Sequence, residues 1–202
     1  MASLALPAPS PARPGSLEDA LQRRRSWRAF APSPLALADL AQLLWAAQGR
    51  SDAEGHHTAP SAGALYPLEL FVVTARVDGL APGVYRYESD GHVLRHAARA
   101  PGHDALAALA AATRGQGWVA QAPALLVITA ELRRSARRYG ELAGRFVDME
   151  AGAVAQNVHL QATARAQATV LIGSFDEGRV RKALALPDDL TPLALMPLGH
   201  PR

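Results

Sequence analysis

Two short, strongly apolar segments constrain most tightly what this chain can fold into. One is LELFVVTARV at residues 68–77, which lies between Pro67 and Gly79, and the other is PALLVITA at residues 123–130. Short apolar runs that are rich in β-branched residues and bounded by turn residues are typical of buried strands. The sequence therefore predicts a sheet with these two segments at its centre.

The remaining segments mix strands and helices in no regular order. Asp90-Gly91 lies between two β-prone runs and predicts a hairpin over residues 84–95, and residues 193–198 predict a last strand. Helical patterns cover residues 17–25, 35–48, 103–113, 146–168 and 175–185. Because strands and helices do not alternate as βαβ units, the expected fold class is α+β.

The length of the chain favours a single domain. Its 202 residues suffice for one domain with a sizeable core, expected over residues 16–202. Residues 1–15 contain four prolines among small residues, which predicts an extended Pro/Ala-rich arm.

Composition excludes several classes of function. The chain has no cysteine, so it can form neither a disulfide nor a thiolate site, and its net charge is only +3. No basic block is interleaved with aromatic residues, and no apolar run reaches the roughly 18 residues that span a bilayer. His56 and His57 are not accompanied by a carboxylate or cysteine that completes a ligand set. We expect a cytoplasmic protein with no nucleic-acid, membrane or metal partner.

Two segments are candidates for ligand binding. The first, Arg24-Arg25-Ser26-Trp27-Arg28, concentrates guanidinium groups that can hold phosphate oxygens in a bidentate manner. The second, residues 59–67 (APSAGALYP), is built of small residues between prolines, so its backbone can approach a flat ligand. Together they indicate a phosphorylated planar cofactor. Taken separately, the first fits a solvated charged surface equally well, and the second fits an ordinary loop.

An ordered set of motifs spans roughly residues 17–201. The motifs are RRSWRAF at 24–30, LLWAAQG at 43–49, TAPSAGALYPLELFVV at 58–73, PGVYRY at 82–87, APALLVIT at 122–129, RYGE at 138–141, AGAVAQN at 151–157, IGSFDE at 172–177 and LGHP at 198–201. In this order they resemble the nitroreductase-like flavoprotein family, and within it the SagB-type branch of azoline dehydrogenases.

The resemblance implies a nitroreductase-like fold, with a central, mostly antiparallel sheet flanked by helices, and an intertwined homodimer. Each of its two FMN sites would combine residues of both chains. The phosphate and ribityl chain would lie on Arg24, Arg25, Ser26 and Arg28. The partner's loop would lie along the ring, through Pro60, Ser61, Ala62, Gly63 and Leu65. Backbone at Ile172 and Gly173 would approach the ring, and Gly199, His200 and Arg202 would return toward the phosphate.

The activity implied by the resemblance is FMN-dependent hydride transfer from NAD(P)H to a small organic acceptor, such as a nitro compound or quinone, by ping-pong turnover. One alternative is an azoline dehydrogenase of peptide tailoring. Its catalytic lysine–tyrosine pair matches Arg138-Tyr139 here, and arginine is a poor general base. Tyr139 is then a candidate proton donor, or else a packing residue. A further alternative is a flavin-binding protein without turnover, because residues 166–170 (AQATV) replace a glycine-rich stretch.

Three polar residues of the long helix also require an explanation. Glu150 lies among small apolar residues and, if buried, needs a partner, most naturally an arginine. Asn157, with its neighbour Gln156, could donate to flavin oxygens, satisfy a buried backbone group or bridge two subunits. We expect His159 to be an interior or interface histidine with its hydrogen bonds satisfied, rather than a catalyst.

Overall fold

The computed structural model describes residues 12–98 and 102–202. The prediction of an extended arm lies largely outside these residues, since only residues 12–15 of it are described. Among the described residues, no helix is long and apolar enough to cross a membrane.

A six-stranded sheet forms the centre of the structure, and its order is β5-β4-β2-β6-β8-β7. Every neighbouring pair in it is antiparallel, which confirms the predicted α+β class and the mostly antiparallel sheet. The strands are β2 (Leu68–Thr74), β4 (Gly83–Glu88), β5 (Val93–Ala98), β6 (Ala124–Glu131), β7 (Ala168–Thr169) and β8 (Leu190–Gly199). The two apolar segments are thus the central neighbours β2 and β6.

The first central strand is shorter than predicted. It ends at Thr74, because the backbone N–H groups of Ala75 and Arg76 both donate to the Pro123 carbonyl, at 2.9 and 3.0 Å, and leave the ladder. The remainder of the predicted strand is β3 (Val77–Asp78), which pairs in parallel with the two-residue β1 (Leu35–Ala36) outside the main sheet.

Helices cover both faces of the sheet. Alternate residues of β2 and β6 contribute to two separate apolar clusters, as the period of two along a strand requires. One cluster lies under α2 (Leu37–Gln48) and α5 (Ala143–Ala164), and the other lies under α3 (Gly102–Ala112) and α6 (Glu177–Leu184). The sheet is therefore the middle of three layers.

Helix α1 (Leu17–Arg23) begins as predicted, because the Ser16 hydroxyl caps it by accepting from the Asp19 N–H at 3.2 Å. Helix α5 differs from the prediction at both ends, since residues 146–168 were expected to be helical. It ends at Ala164 because the Gln167 N–H returns to the Ala162 carbonyl at 2.7 Å, and Ala166 has a positive φ of 54°. The chain then reverses into β7, so part of the predicted helix is a strand.

One helix was not predicted. Helix α4 (Leu132–Tyr139) has the sequence LRRSARRY, in which Leu132, Ala136 and Tyr139 form only a short apolar face. Its Arg134 side chain instead forms ion pairs with Glu69 and Glu131, each at 2.7 Å. These ion pairs and the packing of Leu132 against the apolar core together attach the helix to the sheet.

Candidate active site

The arginine segment after α1 forms an edge beside the sheet. The Trp27 N–H donates to the Thr169 carbonyl of β7 at 3.0 Å, and the Ala31 N–H donates to the His200 carbonyl at 2.9 Å. The Arg202 N–H donates to the Ala29 carbonyl at 3.3 Å. The backbone therefore brings the arginine segment, β7 and the predicted tail together, although they are distant in sequence.

Several cations at this edge have no anionic partner. Arg24 is partly buried, whereas Arg25, Ser26, Arg28 and Arg202 are exposed. In the part of the chain that the structure describes, Arg24, Arg28 and Arg202 form no ion pair with a carboxylate. Arg25 donates to the carbonyls of Gln22 and Arg24 at 3.0 and 2.8 Å. An uncompensated set of guanidinium groups suits a phosphate.

Three buried polar side chains near this edge were missed as site residues by sequence reasoning. Gln167 is 3% exposed, and neither its amide oxygen nor its amide nitrogen has a partner. Thr169 Oγ and His159 Nδ1 are also buried without partners, on β7 and on the α5 helix packed against it. Buried polar groups are normally hydrogen-bonded, so these orphaned atoms fit a polar ligand or water beside β7.

His159 is electrically coupled to the arginine segment. Burial and, as the smaller cause, the positive charge of Arg24 together lower the pKa of His159 to about 4. His159 is buried, which confirms its expected interior position, but the expectation that its hydrogen bonds are satisfied is wrong, since its Nδ1 has no partner. It is neutral at pH 7 and therefore adds no charge to the site.

Of the pair Ile172-Gly173, the first residue is buried in the core and the second is exposed. The Ile172 backbone exchanges hydrogen bonds with Leu195 at 2.9 and 3.0 Å, and its side chain is 3% exposed within the core. Gly173 is exposed, and no atom lies within 4 Å of the position that a Cβ would occupy. Of the two, only the backbone at Gly173 is free to face a flat ligand.

Gly199 is required for packing. It is buried in β8, and a Cβ there would lie 2.6 Å from Pro123 Cδ and 3.2 Å from Phe30 Cδ1. The small residue thus allows the tail to approach these rings closely. Its predicted contact with a cofactor remains a prediction.

The small-residue loop adopts an unusual backbone conformation. Gly63, Ala64 and Tyr66 all have positive φ values, of 63°, 51° and 43°. The Tyr66 N–H donates to Ser61 Oγ at 2.9 Å, and the Tyr66 carbonyl accepts from Arg134 at 2.5 Å. Non-glycine residues with positive φ are strained and persist only when their surroundings hold them.

Gly63 lies against the pair Arg138-Tyr139 of its own chain. A Cβ on Gly63 would lie 2.6 Å from Tyr139 Oη and 2.9 Å from Arg138 Nη1. The Arg138 guanidinium lies 5.6 Å from the centre of the Tyr139 ring, whose centre is 4.8 Å from that of Phe146. Tyr139 therefore packs as a partly buried residue while its hydroxyl contacts the candidate loop.

A buried carboxyl group, that of Glu150, lies beside the small-residue loop. Glu150 is 4% exposed, and burial raises its pKa to about 7, while a hydrogen bond with Ser61 and the charge of Arg134 act in the opposite direction. Arg134 is thus the arginine whose charge acts on Glu150, but its ion pairs are with Glu69 and Glu131, so the expected arginine partner of Glu150 is not found among the described residues. Asn157 donates to the Thr58 carbonyl at 3.1 Å, so it satisfies a backbone group just before the loop.

The histidines before the loop differ from the prediction in one respect. Asp52 Oδ2 lies 2.7 Å from His56 Nδ1, and Glu54 is close to both, so carboxylates do accompany His56. All three residues are exposed in a turn, which explains their proximity without a metal. The His57 ring instead stacks on Tyr66, with ring centres 3.8 Å apart.

The two candidate segments do not bond to each other within one chain. Across residues 12–98 and 102–202, no hydrogen bond or ion pair joins residues 24–28 to residues 60–65. Within one chain the structure thus has two separate candidate half-sites, an arginine edge (residues 24–28 and 199–202) and a small-residue loop (residues 60–65) beside Tyr139.

Comparison with known proteins relates this chain to one family. The nitroreductase family profile matches residues 21–200. A candidate nitroreductase of Methanocaldococcus jannaschii is 43% identical over 185 residues, which cover 91% of this chain and 90% of that protein.

Solved structures show the same fold. A crystal structure of a candidate nitroreductase from Ralstonia eutropha superposes with a TM-score of 0.80 at 28% identity, covering 98% of this chain and 88% of that one. A chain of the Escherichia coli microcin synthetase McbBCD complex superposes with a TM-score of 0.80 at 22% identity, covering 100% of this chain and 79% of that one.

Proposed function

The chain belongs to the nitroreductase family and is an oxidoreductase of that class, and we propose that it uses FMN to transfer hydride from NAD(P)H to a small organic acceptor. The observation that carries this proposal is the arginine edge. Arg24, Arg28 and Arg202 lack carboxylate partners in the described chain, and backbone hydrogen bonds hold their segments together.

In this proposal the arginine edge binds the phosphate and the ribityl chain. A phosphate dianion is held best by bidentate guanidinium groups, which Arg24, Arg28 and Arg202 can supply. The ribityl hydroxyls are hydrogen-bonding groups, and the unpartnered polar atoms of His159, Gln167 and Thr169 are suited to groups of that kind, directly or through water.

The remaining residues orient the ring and exclude water. When bound, FMN supplies a ring that accepts a hydride from the nicotinamide and passes it to the acceptor. Gly173 offers exposed backbone with open space beside it, and Gly63 offers a second backbone surface without a side chain. A guanidinium group near the reduced ring would stabilise its negative charge, because arginine carries a fixed positive charge.

We further propose that the two half-sites meet across a homodimer. Four exposed apolar side chains lie on α1, on the arginine segment and on α5: Leu17 (60% exposed), Leu21 (51%), Trp27 (39%) and Met149 (56%). Helix α1 packs against α5, so these residues belong to connected elements. Exposed apolar groups of this size mark interaction surfaces, and a second copy of this chain would bring a loop to each arginine edge.

Tyr139 is the proposed proton donor to the acceptor, because its hydroxyl lies against Gly63. Arg138 holds the adjacent position. Since a guanidinium is a poor general base, the azoline dehydrogenase alternative lacks its catalytic base here. An azoline-bearing peptide that is oxidised as fast as a quinone is reduced would restore that alternative.

A complementation experiment tests the shared site. Arg28→Ala disables the arginine edge, and Ala62→Glu disables the loop by placing a carboxylate where the ring would lie. After unfolding and refolding as a mixture, random pairing gives about half mixed dimers, each with one intact site. We expect each variant alone to lose FMN and activity, and the mixture to recover about a quarter of both.

The control is the double variant that carries both changes in one chain, mixed with either single variant, because no mixed dimer then contains an intact site. No recovery in the first mixture, although both variants fold and pair, would place the whole site within one chain. Colourless wild-type protein that takes up no added FMN would reject the proposed function itself.

A further inference from the structure

Arginines without a partner are unevenly distributed over the molecule. In the described residues, eight arginines form ion pairs with carboxylates, and Arg25 and Arg76 donate to carbonyls. Those with neither kind of contact fall mainly into two groups. One is the arginine edge, and the other is the α4 cluster, formed by Arg133, Arg137, Arg138 and Arg145.

The α4 cluster is electrostatically unfavourable for its own helix. Arg133 and Arg137 lie one turn apart on an exposed face, and Arg134 and Arg138 repeat the same spacing. Like charges at this spacing destabilise a helix, and Arg133 in the first turn also opposes the helix dipole. Among these four residues of α4, only Arg134 is neutralised, by Glu69 and Glu131. A bound anion would relieve the repulsion.

The position of the cluster links it to the candidate site. Arg138 contacts Gly63, and Tyr139 contacts the same glycine, so the C-terminal end of α4 adjoins the loop proposed to lie along the flavin. From there α4 leads away toward Arg133 over five residues, or about 7 Å of helix axis. An anionic extension of a molecule stacked on the ring would pass these side chains.

We propose that the α4 cluster binds the 2′-phosphate of NADPH and makes this enzyme select NADPH over NADH. The proposal rests on the proposed function, since it names the reductant for the same flavin site. NADPH differs from NADH by one phosphate, which is the group that an array of guanidinium donors recognises. The proposed function assigns the phosphate of FMN to the arginine edge, so the second cationic group is available for a second anion.

The first test measures binding without hydride transfer. Calorimetry with 2′,5′-ADP and with 5′-AMP isolates the 2′-phosphate, and it does not require a reducible flavin. We expect wild-type protein to bind 2′,5′-ADP at least about tenfold more tightly, a difference of about 1.4 kcal/mol, and to lose this preference at high salt because exposed charges are screened. The double variant Arg133→Ala/Arg137→Ala should bind the two ligands equally.

The second test follows reduction of bound flavin by each nucleotide under anaerobic conditions. The ratio of apparent affinities, NADPH over NADH, should fall at least about tenfold in the double variant. The control is Arg114→Ala, an exposed arginine without an ion pair in the described chain that lies after α3, away from α4. It should leave the ratio unchanged.

The two proposals can fail separately. Flavin that is reduced equally by both nucleotides in wild-type and double-variant protein would overturn the α4 proposal and leave the proposed function intact. The double variant could instead keep the NADPH/NADH affinity ratio and turn over an anionic acceptor more slowly, but not a neutral quinone. That result would also overturn the α4 proposal and assign the cluster to the acceptor. Wild-type protein that takes up no added FMN but still prefers 2′,5′-ADP would reject the proposed function. It would nevertheless support phosphate binding by the α4 cluster.

Discussion

Glu150 and His159 are buried titratable side chains of α5, and burial favours the neutral form of each. The pKa of Glu150 rises from 4.5 to about 7, so between these pH values the folded state binds more protons and stability falls as pH rises. The pKa of His159 falls from 6.5 to about 4, so across that range stability is lost as pH falls. The two contributions overlap in pH and oppose each other.

Replacing Glu150 with a side chain that cannot ionise separates the contribution of His159 to the pH dependence of stability from that of Glu150. Glu150→Gln keeps a polar side chain beside Ser61 but cannot ionise, so we expect it to stabilise the fold at pH 8 by about 1–3 kcal/mol and to have little effect at pH 4. Urea unfolding at several pH values measures this. Glu141→Gln, at an exposed position, is the control. A variant whose stability follows the same pH curve as wild type would show that Glu150 is not buried in its charged state.

At the scale of elements, the sequence predicted the strands that are defined by their apolar pattern. It missed the helix and the strand end that depend on polar contacts between distant residues. Strands β2 and β6 were predicted because both of their faces are apolar. Helix α4 was missed because ion pairs of Arg134 help to attach it to the sheet. One of these pairs is with Glu69, which lies 65 residues earlier in the chain, and the other is with Glu131. The end of β2 was missed for a similar reason, since it depends on the Pro123 carbonyl, about fifty residues along the chain.

The candidate site likewise has one part that the sequence identified and one part that it did not. The arginine segment, the loop and the tail were identified through motifs. The unpartnered polar atoms of Gln167 and Thr169, by contrast, arise only once α5 ends early and the chain turns back into β7. A periodicity pattern cannot show which polar atoms a later turn will bury.

Gly63 is the position where the loop tolerates least change. Gly63→Ala would place a Cβ within 2.6 Å of Tyr139 Oη at a φ of 63°, so we expect a loss of about 1–3 kcal/mol of stability. Gly144→Ala is the matched control, because no atom lies within 4 Å of its Cβ position in α5, and alanine there should be neutral or stabilising. Equal unfolding midpoints for the two variants would mean that the loop does not pack against Tyr139 as described.

At the scale of the whole molecule, the proposed shared site needs two copies of the chain. Met149→Glu places a charge on the exposed face of α5, where the proposed dimer buries a methionine, so we expect monomers that have lost FMN. Light scattering and flavin absorbance measure both effects. Val93→Glu changes a similarly exposed apolar residue on β5 and should leave a flavin-loaded dimer. A Met149→Glu dimer that retains FMN would remove the α5 face from the interface.

The central claim is that this member of the nitroreductase family passes hydride from a nicotinamide nucleotide to a bound flavin. Anaerobic titration of the purified, FMN-loaded protein with NADPH, without an acceptor, tests it most directly. The account predicts that the yellow absorbance bleaches with about one equivalent per flavin, because a hydride carries two electrons. Flavin that stays oxidised in excess NADPH and in excess NADH, yet bleaches with a chemical reductant, would contradict it.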